Sequence, residues 1–214
     1  MWLQTIKTGL CRHVLLKCFG ITLFISLFFI AYFHVLNHPA STATIIPLTF
    51  LDRLFSFQPL ALPIYLSLWL YVVIPPIVII KLDELYAFTI SITLMTITGL
   101  IIFYVWPTAI SVSEIDWAQH PNISFLKSVD AAGNACPSLH VATAFFSGAW
   151  SNYIFRRIKA PSWVRIINVL WGVGIIYSTI AIGQHVALDV IGGLVLGGIG
   201  TQLSAYRFWQ KRNV

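Results

Sequence analysis

Six runs of mostly apolar residues, at roughly 15–35, 61–80, 86–107, 139–156, 164–182 and 185–206, constrain this chain more than anything else in it. Each is close to the ~20 residues that a helix needs to cross the hydrocarbon core of a bilayer. A mean hydropathy of +0.84, with 58% hydrophobic and only 9% charged residues, lies outside the range of soluble globular domains. The expected fold is therefore all-α: a six-helix transmembrane bundle with both termini cytoplasmic, forming a single integral-membrane domain over residues 1–214. The fifth and sixth runs are almost contiguous, which predicts a tight hairpin. The basic start leads into a long apolar run with no small-x-small site after it, so an uncleaved first helix is expected.

Lys and Arg residues set the orientation, because short cytoplasmic loops collect them. Lys7, Arg12 and Lys17 precede the first run, and Lys81 follows the second. Arg156, Arg157, Lys159 and Arg165 lie between the fourth and fifth, and Arg207, Lys211 and Arg212 close the chain. The opposite side keeps Arg53 and Lys127, beside Asp52, Glu114, Asp116 and Asp130. A net charge of +6 distributed in this way is what membrane topology produces, so no nucleic-acid partner is expected. Cys11 and Cys18 fall at the inner end of the first helix and Cys136 on the outer side, a distribution that predicts neither a disulfide nor a zinc framework.

Two segments at the outer ends of apolar runs carry candidate chemistry: Cys136-Pro137-Ser138-Leu139-His140 and Gly183-Gln184-His185-Val186-Ala187-Leu188-Asp189. Pro137 suits the first turn of a helix, where its missing N–H costs nothing, so the fourth helix is expected to start there. Free N–H groups around Ser138, Leu139 and His140 then face outward, and a helix N-terminus of this kind attracts phosphate. Ser138 adds a hydroxyl donor; its plainer role is to cap the helix, with His140 as an interfacial side chain. His185 and Asp189 stand four apart and share a helical face, so the carboxylate can accept from one imidazole N–H. Asp189 costs about 2.5–3.5 kcal/mol at such depth on insertion scales, and residues of this kind face the bundle interior with a partner. The pair serves either chemistry or packing. Gly192, Gly193, Gly197, Gly198 and Gly200 predict close helix approach.

These segments resemble the second and third signature motifs of the type 2 phosphatidic acid phosphatase superfamily, six-helix membrane enzymes acting on lipid phosphates. Where the family reads Pro-Ser-Gly-His, this chain has Pro137-Ser138-Leu139-His140. The third motif, Ser-Arg, five residues, His, three residues, Asp, corresponds to Ser178-Thr179, His185 and Asp189 with its spacing kept. The resemblance covers roughly residues 100–205. The family's phosphate-clamping Arg is Thr179 here, and its first motif, a Lys followed by Arg-Pro, is not evident: Trp106-Pro107 sits near the Arg-Pro position without the Arg. The Ser-Leu-His variant is closer to the branch that includes inositol phosphorylceramide synthases.

The resemblance implies catalysis by His185, His140 and Asp189, with His185 attacking phosphorus, Asp189 holding its tautomer and His140 protonating the leaving oxygen. Phosphate binding then falls to the helix N-terminus, Ser138, Thr179, Gln184 and an outer-side cation, Lys127 first and Arg53 second. No metal and no cofactor is implied, and no obligate protein partner. The expected function is hydrolysis of a membrane lipid phosphate or diphosphate through a phosphohistidine, at the periplasmic, lumenal or extracellular face. Transfer of a phospho-headgroup to a lipid alcohol is the alternative, because both reactions share their first half. A non-enzymatic transporter or partner protein is the second alternative, with the two histidines and Asp189 as a buried polar lock.

Overall fold

The computed structural model describes residues 2–110, 120–123 and 133–208. In chain order it contains α1 (Trp2–Cys11), α2 (Val14–Asn37), β1 (Thr44–Ile46), the short helices α3 (Leu62–Leu66), α4 (Leu68–Tyr71) and α5 (Ile74–Val78), then α6 (Leu82–Val105), β2 (Thr108–Ile110), α7 (Leu139–Arg157), α8 (Ser162–Ala181) and α9 (Ala187–Phe208). The protein is mostly helical, as the apolar runs require.

Among the described residues five stretches are long and apolar enough to cross a membrane: Val14–Asn37, Pro59–Val78, Leu82–Val105, Ser162–Ala181 and Ala187–Ser204. α7, the fourth of the six expected crossings, forms as a helix but is not among these five. Its position explains this. α7 packs against α4, α5, α6, α8 and α9, and Val141, Ala142, Ala144, Phe146, Ser147 and Trp150 on it are wholly buried. A helix covered by protein needs small and polar residues for close packing more than it needs apolar ones for lipid. α2 is the converse: only 6% of its most apolar window is buried, and α6 is its main contact.

The second apolar run is not one straight helix. Ser67, whose hydroxyl donates to Ile64 O at 2.6 Å, separates α3 from α4. Pro75 and Pro76 lack N–H groups and are accommodated in the first turn of α5. The chain also has a helix at its start that the apolar runs do not predict, α1, joined to α2 through His13 in the left-handed region (φ 58°).

Lys17, expected among the basic residues on the cytoplasmic side, is buried. It is 5% exposed, and its ammonium donates to Gly9 O at 2.6 Å, Ile77 O at 2.7 Å and Ile79 O at 2.6 Å. These carbonyls lie at or just beyond the C-terminal ends of α1 and α5, where the helical ladder leaves acceptors without intrahelical donors. Lys17 thus joins the ends of two helices. Glu84, buried at the start of α6, pairs with Arg157 at the end of α7.

At the other end of the bundle, β1 and β2 pair in parallel, with Thr44 opposite Thr108 and Ile46 opposite Ile110. Cys136 N–H donates to Thr108 Oγ1 at 2.8 Å, which fastens the segment before α7 to β2. Ile46, Ile110, Ala135 and Val186 form a small apolar cluster over this junction.

Two glycines of α9 set the spacing to α7. A Cβ on Gly193 would lie 2.5 Å from Ser138 O, and one on Gly197 2.7 Å from Ala142 O. Gly198, expected to share this role, has nothing within 4 Å of its Cβ position.

Candidate active site

α7 begins at Leu139, two residues later than Pro137 predicts. Ser138 adopts an extended conformation (φ −60°, ψ 107°) and its Oγ accepts Val141 N–H at 3.2 Å, so it is the N-cap and the helix starts at Leu139. Serine wins this position over proline because it can accept a hydrogen bond from the free end of the helix. Ser138 N–H donates to Asp189 O at 3.0 Å, which locks the start of α7 to the first turn of α9. The Leu139 and His140 N–H groups, the next two along, have no acceptor among the described residues.

His185 sits in the short turn between α8 and α9, and that turn is fixed by backbone bonds. Thr179 O accepts both Gln184 N–H at 3.0 Å and His185 N–H at 3.1 Å. The imidazole Nδ1 lies 3.4 Å from Asp189 Oδ2, and the same oxygen accepts Val186 N–H at 3.2 Å. Asp189 therefore combines two roles. It closes back onto the residue before its own helix, as an acidic third-position residue does in a capping box, and it orients His185. With a proton on Nδ1 directed at Asp189, Nε2 carries the free lone pair. Asp189 has no solvent exposure, and its Oδ1 has no hydrogen-bond partner among the described residues.

His140 lies in the first turn of α7, stacked on Tyr65 of α3 with ring centroids 4.0 Å apart and planes 15° from parallel. Its Nε2 is buried without a hydrogen-bond partner among the described residues. His140 and His185 open into one cavity of about 430 Å³, which Tyr65, Leu139, Thr143 and Asn134 also line. Asn134 is held in the left-handed region (φ 51°), is 7% exposed, and has a buried Nδ2 with no acceptor among the described residues. A buried amide of this kind needs a polar partner, and a phosphate oxygen is of the right chemistry.

The expected phosphate ligands are placed less uniformly. Ser138 Oγ is engaged in capping, and Thr179 Oγ1 donates to Ile176 O at 2.8 Å. Gln184 is buried with Nε2 unpartnered among the described residues, yet it is not part of the cavity wall. Arg53 is exposed in the 3-10 turn Leu51–Leu54. Lys127 lies outside the described residues.

Sequence reasoning missed Asn134 and Tyr65 and left the role of Asp52 open between an ion pair with Arg53 and a place in the site's frame. Asp52 Oδ2 accepts Thr49 N–H at 2.6 Å and Thr49 Oγ1–H at 2.7 Å, while Oδ1 accepts Ala187 N–H at 2.7 Å. It caps α9 from outside, two residues beyond His185. The signal available for Asn134 was its place in Gly133-Asn134, a pair suited to a left-handed turn just before the Pro-Ser-Leu-His segment. Nothing local in the sequence marks Asp52 or Tyr65.

Cys136 is a half-buried free thiol beside this site. Burial, and then the charge of Asp189, push its pKa up to about 11.

A family model described as the PAP2 superfamily matches residues 80–213, well over half of the chain. No curated protein and no solved structure matches it.

Proposed function

Because the chain belongs to the PAP2 superfamily, whose members are phosphatases or phosphotransferases of lipid phosphates, we propose that it hydrolyses a membrane lipid phosphate or diphosphate through a phosphohistidine. One observation carries this reading: two histidines from different elements open into a single cavity, and one of them is backed by a buried carboxylate.

In the proposed cycle His185 Nε2 attacks phosphorus in line. The ester P–O bond breaks as the P–N bond forms, and His140 gives its proton to the departing oxygen. Asp189 keeps the Nδ1 proton of His185 in place and stabilises the positive charge that develops on the ring. Water then attacks phosphorus, His140 takes up the water's proton, and the P–N bond breaks to release phosphate. The 3.4 Å separation of His185 and Asp189 suits a substrate-free site, where catalytic hydrogen bonds are often long. Negative charge on the equatorial oxygens is met by the Leu139 and His140 N–H groups and by Asn134 Nδ2, with Ser138, Thr179 and Gln184 around them. Arg53 follows a residue bonded to the start of α9 and is the cation we assign beside Lys127.

We place this site on the non-cytoplasmic face, with α7 as a sixth crossing and both termini cytoplasmic. At 19 residues, α7 rises about 28 Å, close to the ~30 Å hydrocarbon core. The clustering of Lys and Arg supports the orientation.

The test is release of inorganic phosphate by the purified, detergent-solubilised protein from phosphatidic acid and from polyprenyl diphosphate, in the presence of EDTA. EDTA-resistant release that His185→Ala abolishes in a folded protein is expected. Retained turnover in that variant overturns the assignment. Failure of both substrates, with headgroup exchange once an acceptor alcohol is added, would replace hydrolysis by transfer.

A further inference from the structure

The cavity that receives His140 and His185 does not end at the histidines. It continues along α2, where Leu16, Lys17, Gly20, Phe24, Phe28 and Tyr32 lie on its wall. The facing sides come from α3 to α5 and from α6. From Leu16 to Phe33 the wall follows α2 for about 25 Å at the helical rise, most of the thickness of a bilayer core. Apart from the polar end and Lys17 the lining is predominantly apolar, and its 430 Å³ is at the small end of ligand cavities.

The two ends differ in kind. At one stand His140, His185 and Asn134. At the other Lys17 lines the cavity while its ammonium is held by three backbone carbonyls. Those bonds hold a charged group at the Lys17 end of the lining, where a hydrocarbon chain would meet a fixed ammonium instead of apolar wall. Gly20, one turn closer to the histidines, is an exposed lining residue with nothing within 4 Å of the position its Cβ would take.

We propose that this passage houses one hydrocarbon chain of the phosphate-bearing lipid and that the Lys17 end limits the length of that chain. The inference rests on the proposed function for the identity of the headgroup. It assigns the chain-length limit to residues on α2, which carry none of the catalytic groups.

The experiment uses the full chain in detergent and a series of straight-chain alkyl phosphonates from octyl to eicosyl, which bind without being turned over. Affinity is read by titration calorimetry. At constant mole fraction in the detergent, affinity should rise with chain length until the chain reaches the floor, after which the gain stops. Gly20→Phe adds a ring to the wall one turn from Lys17, at a position with nothing within 4 Å of its Cβ, and should bring that limit to shorter chains, with at least a tenfold loss for the longest phosphonates. Lys17→Met removes the three carbonyl bonds and risks the fold, so Gly20→Phe, checked by circular dichroism, is the deciding variant. Affinity that rises without a limit, or a limit that Gly20→Phe leaves in place, overturns the proposal. A chain-length limit in a protein that releases no phosphate keeps this inference and sinks the hydrolase reading. Phosphate release without any such limit does the reverse.

Discussion

Asp52 Oδ1 accepts the backbone N–H of Ala187 at 2.7 Å, across 135 residues of sequence. The bond anchors the loop after β1 to the first turn of the helix that carries Asp189. Replacing a cap of this kind costs about 1 kcal/mol, so Asp52→Ala should lower the melting temperature of the detergent-solubilised protein. It should also lower kcat more than it raises KM, because His185 loses a fixed support. Asp52→Asn keeps an acceptor oxygen and should recover most of both; equal damage from the two variants would refute the positioning role.

Tyr65 stacks on His140 and fixes the plane of its ring. A stacked pair of this kind is worth about 1 kcal/mol. Tyr65→Phe should leave the pH–rate profile in place, while Tyr65→Ala should cut kcat several-fold and shift that profile. An unchanged profile in Tyr65→Ala would remove Tyr65 from the site.

Gly193 and Gly198 provide a paired test of packing. Gly193→Ala would bring a methyl within 2.5 Å of Ser138 O and force α7 and α9 apart, whereas Gly198→Ala enters open space. Thermal melting should show a clear loss for the first. The second should be neutral or gain up to about 1 kcal/mol, since alanine is the better helix residue.

Cys136 should resist alkylation at neutral pH. Burial and the nearby Asp189 carboxylate both disfavour its thiolate and raise its pKa to about 11, while Cys11 is exposed. Only the thiolate reacts, so maleimide labelling read by mass spectrometry should find Cys11 modified and Cys136 largely unmodified at pH 7, with reactivity rising toward pH 11. Asp189→Asn removes the second cause and should bring that rise to lower pH. Fast labelling of Cys136 at pH 7 would contradict the buried site.

Local features of the site were legible because their physics is local. The His185–Asp189 pair follows from a spacing of four on one helical face, and the start of α7 from a Pro-Ser step before an apolar run, placed two residues early because Ser138 is the N-cap and Pro137 lies before the helix. Asn134, Tyr65 and Asp52 were not legible in the same way. Their roles depend on a buried amide beside the cavity, a ring stacked between helices and a cap supplied from a distant loop.

The sequence by itself determined that the chain forms apolar helices of bilayer length, since a backbone in lipid must satisfy its own hydrogen bonds. It also determined which residues stand four apart on one face. The tertiary structure decided that α7 is wrapped by other helices instead of lipid, that Lys17 is buried on carbonyls instead of solvated, and that His140 and His185 share one cavity. Hydropathy measures what a segment tolerates around it, and only the packed bundle sets which neighbours it has.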